Sequence, residues 1–170
     1  MKRFVKLIVS ILLMTMLIAS LTGCTPLLYS SCIPTEAGSV SAANGPYEKG
    51  VLVDVTATPN SGYRFDHWGG AASGKSQTIH LTMDSSKKLV AYFTKIYTLS
   101  VSCSPTVGGS VSPDNGIYDE KSHITLVASP NQYYQFSSWS GDISGSLDHI
   151  TLTMNSDKKI TAIFVKSNIP

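Results

Sequence analysis

Beyond residue 24 the chain alternates apolar and polar positions with a period of two, in run after run. Leu99, Val101 and Cys103 stand between Thr98, Ser100 and Ser102, and Leu28, Ser30 and Cys32 follow the same scheme less cleanly. Val51, Val53, Val55 and Ala57 alternate in one stretch, Ile124, Leu126 and Ala128 in another, and Leu89, Ala91, Phe93 and Ile160, Ala162, Phe164 in two more. A period of two sends successive side chains to opposite faces, so each run predicts a half-buried β-strand. After Cys24 no window of ten or more residues carries a helical period, which predicts little or no helix.

Between the runs stand turn signals. Pro59-Asn60 and Pro130-Asn131 end strands by removing a ladder donor, and Asn44-Gly45 and Asn115-Gly116 predict tight turns with positive φ. Tyr63, Phe65 and the nearby Trp68 open an aromatic strand, mirrored by Tyr134, Phe136 and Trp139, and a Gly/Ser-rich loop follows each. The segments 78–83 and 88–94, and 149–154 and 159–165, are joined by short polar turns that suit hairpins.

These runs are one pattern written twice. Residues 31–95 shifted by 71 positions fall on residues 102–166 without a gap, and about thirty of the 65 pairs are identical. The expected architecture is all-β: two tandem small modules of about six short strands each, β-grasp-like or an open sheet or sandwich, spanning 28–95 and 96–166, with 167–170 as a tail. Lys95–Thr98 is the only linker and runs straight into a strand, so the modules should sit end to end with restricted flexing. At about 65–70 residues each module is small, and its aromatics must supply much of its core.

The first residues have a different character. Lys2, Arg3 and Lys6 precede an apolar run from Leu7 to Ile18, then small and polar residues lead to Cys24. This is the layout of a secretory signal, and the apolar run is short for a membrane span. Leu21-Thr22-Gly23-Cys24 resembles the lipobox of bacterial lipoproteins. The resemblance implies a signal peptide over 1–23, acylation of Cys24, and a short tether over 24–27 that holds the protein on a lipid bilayer. More than one acyl chain makes such an anchor lasting, each buried CH₂ adding about 0.8 kcal/mol. Thr25 in place of Asp implies the outer membrane or cell surface in a two-membrane bacterium, and the outer face of the cell membrane otherwise.

Removing the signal changes the charge. The chain has 13 Lys and Arg against 11 Asp and Glu, and three of the basic residues lie before Cys24. The remainder is near neutral and slightly acidic, with no basic stripe to attract nucleic acid. Cys32 and Cys103 occupy the same place in each copy. They could bridge the modules if the two first strands came within about 7 Å, or could be two small buried thiols.

One set of motifs runs through the first copy: Gly38-Ser39-Val40, Gly45-Pro46-Tyr47, Ala57-Thr58-Pro59-Asn60, Tyr63-Arg64-Phe65-Asp66-His67-Trp68-Gly69-Gly70, Leu81-Thr82-Met83, Lys87-Lys88 and Ala91-Tyr92-Phe93. On these residues each module resembles a bacterial repeat domain of the divergent internalin B-repeat type. The second copy departs with Tyr133 for Gly62 and Ser140 for Gly69. The resemblance implies exported or surface-associated β modules that serve as spacers or adhesion units, and it brings no catalytic residues.

The duplication is also a control on chemistry. None of His67, His80, His123 and His149 has a histidine counterpart, and of the acids considered only Glu48 pairs with another, Asp119. A shared metal site, histidine-dependent nucleophile or carboxylate pair is therefore not expected. No cofactor and no enzymatic activity are expected. Tyr47, Trp68, Tyr118 and Trp139 lie beside turns or the Gly-rich loop and are the candidates for a ligand surface, with Arg64 and His67 enriching it in the first copy. The expected function is a non-catalytic envelope lipoprotein that binds a protein or polysaccharide, adheres, or holds a spacing. The alternative is an accessory subunit or inhibitor in an envelope complex.

Overall fold

The computed structural model describes residues 25–42 and 44–167. Its strands are β1 (Leu27–Ile33), β2 (Gly38–Val40), β3 (Gly45–Pro46), β4 (Leu52–Pro59), β5 (Tyr63–Gly70), β6 (Thr78–Thr82), β7 (Lys87–Ser104), β8 (Gly109–Ser112), β9 (Gly116–Asp119), β10 (His123–Pro130), β11 (Tyr134–Gly141), β12 (His149–Thr153) and β13 (Lys158–Lys166). Two short 3₁₀ turns are the only helical elements among the described residues. Among the described residues no α-helix covers the larger sheet; a second sheet takes that place, and each module is a two-sheet sandwich.

The modules are built alike. In the first, β2, β4 and β6 form a three-stranded antiparallel sheet. It faces a second sheet in which β7 lies between β5 and β1, and β3 adds to β1. In the second module β8, β10 and β12 form the small sheet, and β7 pairs with both β13 and β9. Consecutive strands thus alternate between sheets all the way along, and none pairs with its sequence neighbour. The expected hairpins between 78–83 and 88–94, and in the second copy, are not formed: the turn after β6 carries the chain across the sandwich to β7. β6 pairs with β4 instead, Leu81 opposite Val53.

The Asn-Gly turns are corrected in the same way. Asn44 Oδ1 accepts from the Ser30 N–H at 2.6 Å, and Asn115 Oδ1 from the Val101 N–H at 2.6 Å. The side chains cap the open edge of the module's first strand as the chain crosses into β3 or β9. Among the non-glycine described residues only Lys121 and Tyr133 have positive φ, so Asn115 does not form the turn expected of it. The seventh strand of each module, absent from the sequence expectation, is the short segment that begins at this glycine.

Alternation places the cores as expected. Leu28, Val55, Ala57, Leu81, Met83, Leu89, Ala91 and Phe93 fill the first sandwich with Phe65 and Trp68. Leu99, Leu126, Ala128, Leu152, Met154, Ile160, Ala162 and Phe164 fill the second with Trp139. The two cores are separate clusters, and both lie on the odd-numbered face of β7.

No linker separates the modules. β7 is one strand of 18 residues whose first half closes the first sandwich and whose second half opens the next. At the crossover the Ile96 N–H donates to Gly62 O on one edge, while Lys95 O accepts from the Glu120 N–H on the other. Neighbouring residues of a strand point their amides to opposite edges, so β5 and β9 flank β7 on opposite sides.

Candidate functional site

The aromatic segment of β5 shows why the tryptophans are not where alternation would put them. Phe65 pairs with Phe93 and Trp68 with Ala91, and the register slips at Asp66. This β-bulge adds one residue to β5. It brings Phe65 and Trp68, three positions apart, to the same inward face. The same slip at Ser137 does this for Phe136 and Trp139. Phe65 and Trp68 meet at 5.2 Å between ring centroids, Phe65 and Phe93 at 5.8 Å, and the second copy repeats both contacts.

Trp68 and Trp139 are therefore 1% and 2% exposed and belong to the cores, not to a ligand surface. Each indole N–H donates at 2.8 Å to a loop carbonyl, Ser76 O or Leu147 O, and thereby pins the Gly/Ser-rich loop to the sandwich. Tyr47 and Tyr118 are half-buried and pack against the two cores. The four rings do not converge on one surface. Cys24 lies outside the described residues.

Arg64 and His67 take part in a polar chain at the joint. Arg64 Nε and Nη2 donate to the two carboxylate oxygens of Asp119, each at 2.6 Å, from β5 of the first module to β9 of the second. Arg64 also reaches Asp66 at 3.3 Å, Asp66 holds His67 Nδ1 at 2.8 Å, and the His67 ring stacks on Tyr92 at 4.5 Å. The Arg64 guanidinium holds the Asp119 carboxyl below the usual range. Asp66 is lowered too, first by its bond to His67 and then by Arg64. A two-pronged fork of this kind fixes direction as well as distance.

Two open clefts flank the joint. One, of about 390 Å³, is lined by Gly62, Lys95, Tyr97, Ile117 and Asp157; the other, of about 410 Å³, by Pro34, Glu36, Tyr63, Lys95 and Glu120. In the first, Lys95 Nζ sits 5.3 Å from the centre of the Tyr97 ring.

The remaining titratable groups are dispersed. His80 pairs across strands with Asp54 at 2.6 Å, and His149 with its neighbour Asp148 at 2.8 Å, both on the surface. Among the described residues no group of three or more His, Cys, Asp or Glu is placed to hold a metal. Cys32 and Cys103 are free thiols, pushed up by burial and so poor nucleophiles. Cys32 lies opposite Ala91, twelve positions before Cys103 on β7. At about 3.3 Å per residue that is about 40 Å, which removes the bridge between modules.

The joint was partly readable. Arg64, Asp66, His67 and Tyr92 stand where the second copy has Gln135, Ser137, Ser138 and Ile163. Positions at which a duplication breaks its own pattern are the signal that finds this network.

No curated protein and no solved structure matches the chain. The family model described as the Divergent InlB B-repeat domain matches twice, over residues 31–97 and 99–168. Those two matches take in both sandwiches and the strand they share, and the chain belongs to the divergent InlB B-repeat family.

Proposed function

We propose that this chain is a non-catalytic, lipid-anchored envelope module that holds a fixed spacing at the cell surface and offers its outer faces to a protein or polysaccharide. The observation that carries the spacing role is β7: one unbroken strand belongs to both repeats, so no linker is there to bend. Tandem repeats of this family are compatible with a surface module. The order of the basic residues, the apolar run and Leu21-Thr22-Gly23-Cys24 supports acylation at Cys24.

The test is labelling of cells with a tagged fatty acid, for wild type and Cys24→Ser, followed by protease treatment of intact and lysed cells. Label on wild type alone, with digestion on intact cells, is the expected result. Label retained on the variant sinks the anchor. Protection of residues 25–167 until lysis moves the module inside the envelope, toward a subunit of an internal complex.

A further inference from the structure

We propose that the chain is a tension-bearing strap, in which load entering at β1 and leaving at β13 is carried in shear by two parallel strand pairs in series. The inference deepens the spacing role and rests on it only for the source of the load, a fixed N-terminus.

Among the described residues two strand pairs are parallel. β1 pairs with the first half of β7, Leu28 opposite Lys87 through Ile33 opposite Tyr92. β13 pairs with the second half, Lys158 opposite Leu99 through Ile163 opposite Ser104. In both cases the first strand of a module lies beside its last. Pulling the chain ends drags the N-terminal end of the first strand one way and the C-terminal end of the last strand the other. The two forces act at opposite ends of the paired segment, so its hydrogen bonds must yield together. A hairpin pulled at its open end yields one bond at a time.

Three further features suit this path. The load passes between modules inside β7, with no slack segment to extend. Buried side chains back both clamps: Leu28, Leu89 and Ala91 in one, Leu99, Ile160 and Ala162 in the other. They keep water from competing for the strained bonds. Where β7 leaves the first clamp, β5 and β9 flank it, and the Arg64–Asp119 fork ties them across it.

The structure also supplies its own control geometry. The turn before β7 lies beside the start of β1, since the Leu27 N–H donates to Ser86 Oγ at 3.0 Å. Handles at residues 25 and 85 would therefore peel β1 from β7 from one end, while handles at 25 and 167 would shear them. We would attach DNA handles through azide-bearing residues at these positions, 25 and 85 exposed and 167 half-buried, which leaves Cys32 and Cys103 native, and stretch the chain from residue 24 onward in optical tweezers. The expected result is two unfolding events in the shear geometry, at forces higher than that of peeling at the same pulling speed, because all the bonds of a clamp share one barrier. Equal or lower force in shear would overturn the proposal. Loss of fatty-acid label would remove the anchor and leave this force ratio unchanged, so the two readings fail separately.

Discussion

The two repeats share a backbone plan and differ where each meets something the other does not. Gly69 shows the logic. A Cβ there would come within 2.7 Å of the Tyr92 ring, a ring that stacks on His67 at the joint. In the second repeat Ile163 replaces Tyr92, and Ser140 replaces the glycine. The two positions change together, a glycine where the ring stands and a serine where it does not. The Asp54–His80 pair of the first repeat becomes Thr125–Thr151, with hydroxyls 2.8 Å apart, in the second. That exchange keeps a cross-strand contact and changes only its chemistry.

Breaking what the repeats share should have the largest effect. Trp68→Ala and Trp139→Ala each remove a buried ring and a loop anchor. Both should cost about 3–5 kcal/mol, and thermal melts of the two variants should agree. A variant that melts like wild type would put its ring outside the core. Gly70→Ala and Gly141→Ala come next. Both glycines have positive φ, 83° and 104°, and an added Cβ would strike the carbonyl of Lys88 or Lys159. Each should lose at least about 1 kcal/mol by denaturant melting.

The differences should yield smaller effects. Tyr133 holds φ 68° where Gly62 holds 80°, and its ring is largely exposed. Tyr133→Gly should stabilise the second repeat by about 0.5–1 kcal/mol, the relief of left-handed strain less the extra entropy of a glycine. A loss of stability would mean that the ring packs in solution.

The smallest effect is at the joint. Arg64→Gln, which copies the second repeat, should cost about 0.2–1 kcal/mol, because both partners of the fork are more than a third exposed. Its sign with pH follows from Asp119. A carboxyl lowered by folding stabilises above its unfolded value, and that contribution is lost as pH falls through the lowered folded value. The gap between wild type and variant should therefore be full at neutral pH and close below the ordinary carboxylate range. A gap that persists in stronger acid would assign it to packing of the arginine stem.

Much of this fold was legible in the chain. Alternation located the strands around Val55, Leu89 and Leu126, and the 71-residue shift found both modules. Pairing was not legible, because alternation says which face a side chain takes and nothing about which strand lies alongside. The turn at 84–86 has the composition of a hairpin and performs a sheet crossing. Trp68 was placed on the surface because it stands beside the Gly/Ser-rich loop; one bulged residue, Asp66, turns its ring inward, and no local signal marks a bulge. The joint was half visible: Arg64 and His67 stood out as one-copy residues, but their partner Asp119 lies 55 positions away from Arg64.

The alternation of strands between sheets governs how the molecule comes into being. With no strand paired to its immediate predecessor, no hairpin gives the early segments a first local structure. Before β7, the last strand of its module to be made, β1 has only the two residues of β3 to pair with. A chain emerging residue by residue can pair β2, β4 and β6 early, but the larger sheet of the first sandwich lacks its central strand until residues 87–93 arrive. The strand that completes the first sandwich is thus also the one that begins the second.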